Sequence, residues 1–155
     1  MTMEQKLMTP EEKLKLLGFE LKDVRPAVGN YVSHVRVGNL IFTAGQGVDQ
    51  YHGKLGRDFT IEEGYMASRQ SMLNLLSVLK HELGELSRVK KVVKMLGFVN
   101  STEDFTDQPK VMNGASDLLV EVFGERGRHA RSAVGMAQLP NNTAIEIELI
   151  VEIAE

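Results

Sequence analysis

The chain has no cysteine and no tryptophan. The first absence excludes a disulfide scaffold, a thiolate zinc site, an iron–sulfur cluster and a cysteine nucleophile together. The second, with only six Phe and three Tyr, leaves too few rings for a stacking platform on single-stranded nucleic acid. Positive charge is also in deficit: 18 Lys and Arg against 21 Asp and Glu give a net charge of −3. A general nucleic-acid binder needs a basic face, so nucleic acid is not an expected partner. No stretch approaches 18 consecutive apolar residues and the N-terminus lacks a signal-peptide core, which makes the cytosol the expected compartment. What remains is ordinary for a folded protein. The 155 residues, 43% hydrophobic and 25% charged, fit one domain over 1–155. A domain of this size hides roughly 70% of its unfolded surface and needs neither metal nor disulfide to fold.

Residues 1–8 are mixed in character and read as loosely held. Thr9-Pro10-Glu11-Glu12 is a helix start, with Thr as N-cap and Pro in the first turn, and Gly18 ends that helix after about two turns. Residues 1–18 thus form an N-terminal extension with one short helix. Weak alternation predicts a short strand over 19–24. Residues 31–37 and 40–44 read as strands joined by a Gly38-Asn39 turn. A loop runs from Gly45 through Gly56. Thr60-Ile61-Glu62-Glu63 is a capping box, and Met72, Leu76, Leu79 and Leu83 then form a one-faced helical stripe closed by Gly84. An apolar run over 90–100 suits a central strand. Asp107-Gln108-Pro109 opens a second long helix with Met112, Ala115, Leu119 and Val122 facing inward and Gly124 as its stop. Residues 131–138 and 143–153 read as a final hairpin around Leu139-Pro140-Asn141-Asn142. Two long helices and five or six strands in this order predict an α+β sandwich with both helices on one face of a mixed sheet. On the last strand Ile145, Ile147, Leu149, Val151 and Ile153 share one face, and Glu146, Glu148, Ile150 and Glu152 the other. The helices cover one sheet face only, so the other, still partly apolar, is expected to meet a second copy of the chain.

Several apparent motifs carry no chemistry. Ser77-Val78-Leu79-Lys80 matches S-x-x-K but lies mid-helix without companion motifs. His81-Glu82 begins H-E-x-x-H, but position 85 is Glu. Gly45-Gln46-Gly47 leads into a loop rather than a helix, so no dinucleotide fingerprint forms. His34, His52, His81 and His129 lack a metal-ligand spacing and read as scattered polar surface. The run Arg126-Gly127-Arg128-His129-Ala130-Arg131 is different. A solvated basic loop is its plain reading. Anion capture is the sharper one, because Ala130, Ala133 and Gly135 leave space above the Arg131 guanidinium, whose planar fork suits a carboxylate. If Gln138 pairs with Thr143 across the final turn, Gly135 faces Glu146 and Arg131 shares their sheet face, about 13 Å along the strands.

Arg131-Ser132-Ala133-Val134-Gly135-Met136-Ala137-Gln138-Leu139-Pro140, followed by Ile145-Glu146-Ile147-Glu148, resembles the C-terminal signature of the RidA/YjgF family. Gly29-Asn30-Tyr31-Val32 and the run from Val37 through Thr43-Ala44-Gly45-Gln46 fit the same pattern. So do Leu86-Ser87-Arg88-Val89 and Val111-Met112-Asn113, and the likeness covers nearly all of 19–153. The extended N-terminus, the Gly56-Arg57-Asp58 loop and the segment 127–131 resemble the longer branch labelled YjgF-type endoribonuclease. The resemblance implies a chorismate-mutase-like fold, a homotrimer with clefts between subunits, and cofactor-free hydrolysis of enamines and imines such as 2-aminoacrylate to 2-keto acids and ammonia. It matches Arg131 to the arginine that binds the substrate carboxylate and Glu146 to the glutamate that positions water. Tyr31 matches the tyrosine at the cleft, Asn113 an asparagine lining it, and Gly45 a glycine whose backbone contacts ligand. The chain departs at Ala44, where the family's imine deaminases carry Ser, and in a loop before Arg131 that is one residue longer. An alternative that fits Ala44 is a non-catalytic trimer binding 2-keto acids or related carboxylates. An endoribonuclease fits the charge balance least well.

Overall fold

The structure is a computed structural model that describes residues 2–155, with the backbone alone for Lys6. Two short helices, α1 (Met3–Lys6) and α2 (Pro10–Leu16), precede the hairpin strands β1 (His34–Val37) and β2 (Leu40–Thr43). Then come α3 (Ile61–Leu83), β3 (Val89–Asn100), α4 (Gln108–Phe123), β4 (Ala130–Met136) and β5 (Ile145–Ile153). The five strands form one mixed sheet in the order β1-β2-β5-β3-β4.

The helix boundaries follow local chemistry. Thr9 caps α2 by accepting from the Glu12 amide, with Pro10 in the first turn. Thr60 and Glu63 cap α3 reciprocally, at 3.1 and 3.0 Å, satisfying two amides that the helix start leaves without partners. Gly84 and Gly124 end α3 and α4 at positive φ. Thr2 and Gln5 form a further capping box on α1, so residues 2–8 hold more structure than their composition announces.

The predicted stripes form the core. Met72, Leu76, Leu79 and Leu83 of α3 and Met112, Ala115, Leu119 and Val122 of α4 are buried in one core with the odd-numbered face of β5, from Ile145 to Ile153, α3 lying over β5 and α4 over β3 and β4. The two helices approach most closely at Gly114. The Ser68 hydroxyl sits between the Val111 carbonyl and the Ala115 amide of α4, at 2.9 and 3.0 Å. It thereby inserts into the hydrogen-bond ladder of the facing helix. A Cβ on Gly114 would lie 2.1 Å from the Tyr65 carbonyl oxygen and 2.3 Å from the Ser68 hydroxyl. Only glycine fits there.

Among the described residues no helix covers the opposite sheet face. Val35, Phe42, Ile150 and Lys94 form one row across it, and Val35, Phe42 and Val134 are 52%, 40% and 40% exposed. This is the open, partly apolar face that the alternation of β5 predicts.

Three expectations are corrected. Residues 19–24 form no strand. Phe19 and Leu21 pack on the core, and the Phe19 ring lies 5.3 Å from the Arg69 guanidinium of α3, so their period-two spacing serves a helix flank rather than a sheet edge. The strand over 31–37 starts only at His34, because Gly29-Asn30-Tyr31 turns. Most consequentially, 131–138 and 143–153 are not a hairpin. β4 pairs parallel to β3, from Lys94↔Ala130 to Asn100↔Met136. β5 pairs antiparallel to the other side of β3 and to β2. The helix α4 returns the chain in the same direction, as a parallel pair requires, and the link from β4 to β5 passes over the end of β3. The Asn100 side-chain amide fastens it there by donating to Gly53 O and Asn142 Oδ1, both at 3.0 Å. Asn141 and Asn142 turn the link at positive φ, a conformation Asn tolerates better than most residues.

Gly114→Ala is expected to destabilise the protein by about 3 kcal/mol through overpacking of the α3–α4 crossing. Urea unfolding checks this; an unchanged midpoint would mean the helices separate freely.

Candidate functional site

The residues singled out above fall into two groups on opposite faces of the sheet. Tyr31, Ala44, Gly45 and Glu146 line one groove of about 860 Å³ on the open face, together with Val28, Phe42 and Pro140. It continues into a smaller cleft of about 260 Å³ walled by residues 25–28 and the 45–49 loop. Glu146 lies on the uncovered side of β5, opposite Phe98. Its carboxyl rests on Gly45: a Cβ there would lie 2.9 Å from Cδ and Oε2 of Glu146. Glycine at 45 is therefore a requirement of contact. Burial pushes the Glu146 carboxyl above the ordinary carboxylate range, and the charge of Glu148, two residues on along the same face, adds to the rise.

The segment around Gly45 is firmly seated. Gln46 exchanges both backbone hydrogen bonds with Ile147, Ser71 donates to the Gln46 carbonyl at 2.6 Å, and Asn74 and Arg25 both donate to Gly47 O. Arg25 also pairs with Asp49 at 2.8 Å, which ties the segment carrying Val28 and Tyr31 against the loop. The Ala44 amide donates to Ser33 O. Among the described residues nothing accepts from the Gly45 amide, so a free N–H lies beside a carboxyl of raised proton affinity. Ala44 offers no hydroxyl there.

Arg131 and Asn113 form the second group. Arg131 aligns with Met95 of β3 and, through it, with Leu149 of β5, and so lies on the helix-covered face. In register terms its Cα is two strands and three residues from Glu146, roughly 14 Å, with the side chains pointing apart. The expectation that they share a face is thus overturned, because it rested on the hairpin. Arg131 Nη1 donates to Asn113 Oδ1 at 2.9 Å and to Ser116 Oγ at 3.1 Å. Nη2 reaches Pro109 O only at 3.5 Å. The Nε and outer Nη2 hydrogens meet no acceptor among the described residues. That edge of the guanidinium is a two-pronged donor of carboxylate geometry. Ala133 and Gly135 share its face, but Ala130 points to the open side and the space at Gly135 is taken by Gln108 and Ser101, whose Nε2 and Oγ would lie 2.7 and 2.8 Å from a Cβ there.

Sequence reasoning missed Ser116, a partner of Arg131, and His129, which stands behind Ser116. Ser116 lies three residues after Asn113, on the same helix face, a spacing that could have found it. His129 is not scattered surface: it is half-buried, with Nδ1 2.6 Å from Gly127 O and Nε2 2.9 Å from Ser116 Oγ. Burial pushes its pKa down, against the opposing effect of the Gly127 hydrogen bond and with help from the Arg131 and Lys91 charges. For the other basic residues of that loop the plain reading holds. Arg126 donates to Ser87 and Val89 carbonyls and Arg128 pairs with Glu125. His34 pairs with Glu82, and His52 bridges the Asp49 and Asn141 carbonyls. Among the described residues no three His, Asp or Glu cluster as metal ligands, and no helix is long and apolar enough to cross a membrane.

Residues 11–153 match the family described as "YjgF/chorismate mutase-like, putative endoribonuclease". The chain is 44% identical to the Trypanosoma cruzi protein TCP17 over 146 residues, 90% of this chain and 91% of that one. It is 32% identical to a 2-iminobutanoate/2-iminopropanoate deaminase of Salmonella typhimurium, over 80% and 88% of the two chains. The crystal structure of the Agrobacterium tumefaciens protein Atu1372 superposes with a TM-score of 0.88 at 42% identity, covering 94% of this chain and 92% of that one.

The raised proton affinity of Glu146 has a sign. The folded protein holds this proton more tightly than the unfolded chain, so stability falls as pH rises from the ordinary carboxylate value through the folded one. Glu146→Gln is expected to be more stable than wild type to urea at neutral pH. The gain should vanish below the ordinary value of 4.5; equal stability at neutral pH would show the carboxylate to be solvated.

Proposed function

Because the chain belongs to the YjgF/RidA family, we propose that it hydrolyses small enamines and imines bearing a carboxylate, giving 2-keto acids and ammonia without a cofactor, in clefts between the subunits of a homotrimer. The observation that carries this reading is the division of the site. Glu146 with the free Gly45 amide, and Arg131 with its open fork, cannot meet within one chain. Each is half of a site for a carboxylate-bearing electrophile, and both halves need a neighbour. The open-face row of exposed Val35 and Phe42 and half-buried Ile150 supplies an apolar surface on which a neighbour can seat.

The chemistry asks little beyond position. An imine carbon is already electrophilic. Arg131 takes the carboxylate on two N–H groups and fixes the substrate's orientation, which supplies proximity. Glu146 orders a water against the imine carbon and accepts its proton as the carbon–oxygen bond forms. The same proton then goes to the nitrogen, giving a carbinolamine; Glu146 next takes the proton of its hydroxyl and hands it to the nitrogen too, so that the carbonyl forms, the carbon–nitrogen bond breaks and ammonia leaves. A carboxyl whose proton affinity burial raises is suited to take and return a proton at each of these stages. An enamine enters the same path after protonation at carbon to the imine. Tyr31 walls the groove beside Glu146.

One observation favours a second reading, a trimer that binds 2-keto acids without turnover: Ala44 places a methyl group where a hydroxyl could hold ligand or water.

An amino-acid oxidase generating imines, with semicarbazide trapping those that survive, separates the two. Wild type is expected to lower the trapped signal. Arg131→Ala should lose both this effect and 2-oxobutanoate binding, while remaining folded. Glu146→Gln should keep binding and lose a hundredfold or more in rate. Binding of 2-oxobutanoate by calorimetry with no effect on trapping would establish the second reading. Retained activity in Arg131→Ala would refute the site assignment.

A further inference from the structure

Arg131 is held from behind by a chain of hydrogen bonds whose directions are fixed at one end. A carbonyl oxygen only accepts, so the 2.6 Å contact of His129 Nδ1 with Gly127 O puts a hydrogen on Nδ1. In the neutral ring Nε2 is then a bare acceptor. The group facing it at 2.9 Å is the Ser116 hydroxyl. Ser116 has one hydrogen to give, and its other neighbour, Met95 Sδ at 3.9 Å, is a far poorer acceptor. With that hydrogen aimed at His129, the Ser116 oxygen turns its lone pairs to Arg131 Nη1 at 3.1 Å. Asn113 Oδ1 takes the second Nη1 hydrogen at 2.9 Å. Both hydrogens of Nη1 are thereby consumed on the helix side, and the guanidinium plane is set with Nε and outer Nη2 facing away from α4.

We propose that His129 and Ser116 are positioning residues for carboxylate capture: a neutral, Nδ1-protonated His129 polarises the Ser116 hydroxyl, which locks Nη1 of Arg131 and leaves the opposite edge of the guanidinium as the binding fork. The proposal rests on the reading of Arg131 as the carboxylate-binding group. It assigns a task to a histidine that sequence alone left as surface, and explains why this ring is half-buried with both nitrogens engaged. It also gives α4 a role, since Asn113 and Ser116 come from one helix face and grip one nitrogen. Fixing the fork before the ligand arrives removes rotamer freedom that binding would otherwise have to overcome.

The test uses the full chain, with 2-oxobutanoate as probe and calorimetric Kd as readout, beside the trapping rate at saturating imine. His129→Leu and Ser116→Ala are each expected to weaken binding about tenfold, with a much smaller change in the saturated rate. His129→Gln should come within threefold of wild type, because its amide can donate to Gly127 O and accept from Ser116. Long-range proton–nitrogen spectra of wild type should show the neutral Nδ1–H tautomer of His129. Should His129→Leu fail to fold, the smaller Ser116→Ala change and the spectra still decide. A His129→Gln variant as weak as His129→Leu, or an Nε2–H tautomer, would overturn the relay. Wild-type affinity in both His129→Leu and Ser116→Ala, with binding lost in Arg131→Ala, would remove the relay and leave the Arg131 reading standing. Unchanged binding in Arg131→Ala would instead remove that reading, and this inference with it.

Discussion

The side-chain amide of Asn100, fully buried at the end of β3, holds two distant stretches of chain. It donates to the Gly53 carbonyl and to Asn142, and its own oxygen accepts from the Lys54 ammonium at 2.7 Å. The same ammonium also donates to the Ala137 carbonyl. A buried amide in this setting is costly unless each of its polar atoms is paired, and here the pairing is what routes the chain from β4 across the end of β3 into β5. With the link so fixed, β3 separates β4 from β5, Arg131 belongs to the helix side and Glu146 to the open side. The division of the candidate site thus follows from one satisfied polar cluster, seated two positions along β3 from the residue that pairs with Glu146.

Much of the architecture was legible because its causes are local. The Thr60–Glu63 box, the glycine stops and the apolar stripes of α3 and α4 each act within a few turns of chain, and the alternation along β5 carries its own two faces. The order of the strands was not legible. A four-residue stretch rich in Pro and Asn between two β-like runs reads as a hairpin, and nothing within it reveals that Asn100 and Lys54, some forty and ninety residues away, draw it over another strand. The same limit applies at smaller scale to residues 19–24, where the spacing of Phe19 and Leu21 suits a strand, while the Arg69 guanidinium beside Phe19 belongs to a helix.

The candidate residues show the same boundary. Tyr31, Ala44, Gly45 and Glu146 could be named through the family resemblance, and they do line one groove. Their reasons are visible only in three dimensions: Gly45 is small because a carboxyl rests on it, and Glu146 is hard to ionise because burial and Glu148 act together. Arg131 could be named too, but its setting could not. Its neighbours Ser116 and His129 are ordinary residues until α4 and β4 bring them together, and two neighbouring arginines that share its loop turn out to hold backbone carbonyls or a surface glutamate.

The sheet order has a further consequence, for the way the chain reaches its fold. In chain order β5 is the last strand, yet it occupies the middle of the sheet. The β1–β2 hairpin and the β3–α4–β4 unit can each form from contacts near in sequence, but they share no strand pairing except through β5. Until residues 145–153 slot between them, two half-sheets stand with open inner edges, and the apolar stripe of α3 has no complete floor to lie on. Closure therefore comes late and joins residues more than a hundred positions apart, as Leu149 with Thr43, the kind of long-range pairing that slows folding. Assembly is gated by the insertion of a single nine-residue segment, which carries Glu146 into the groove in the same movement that completes the core.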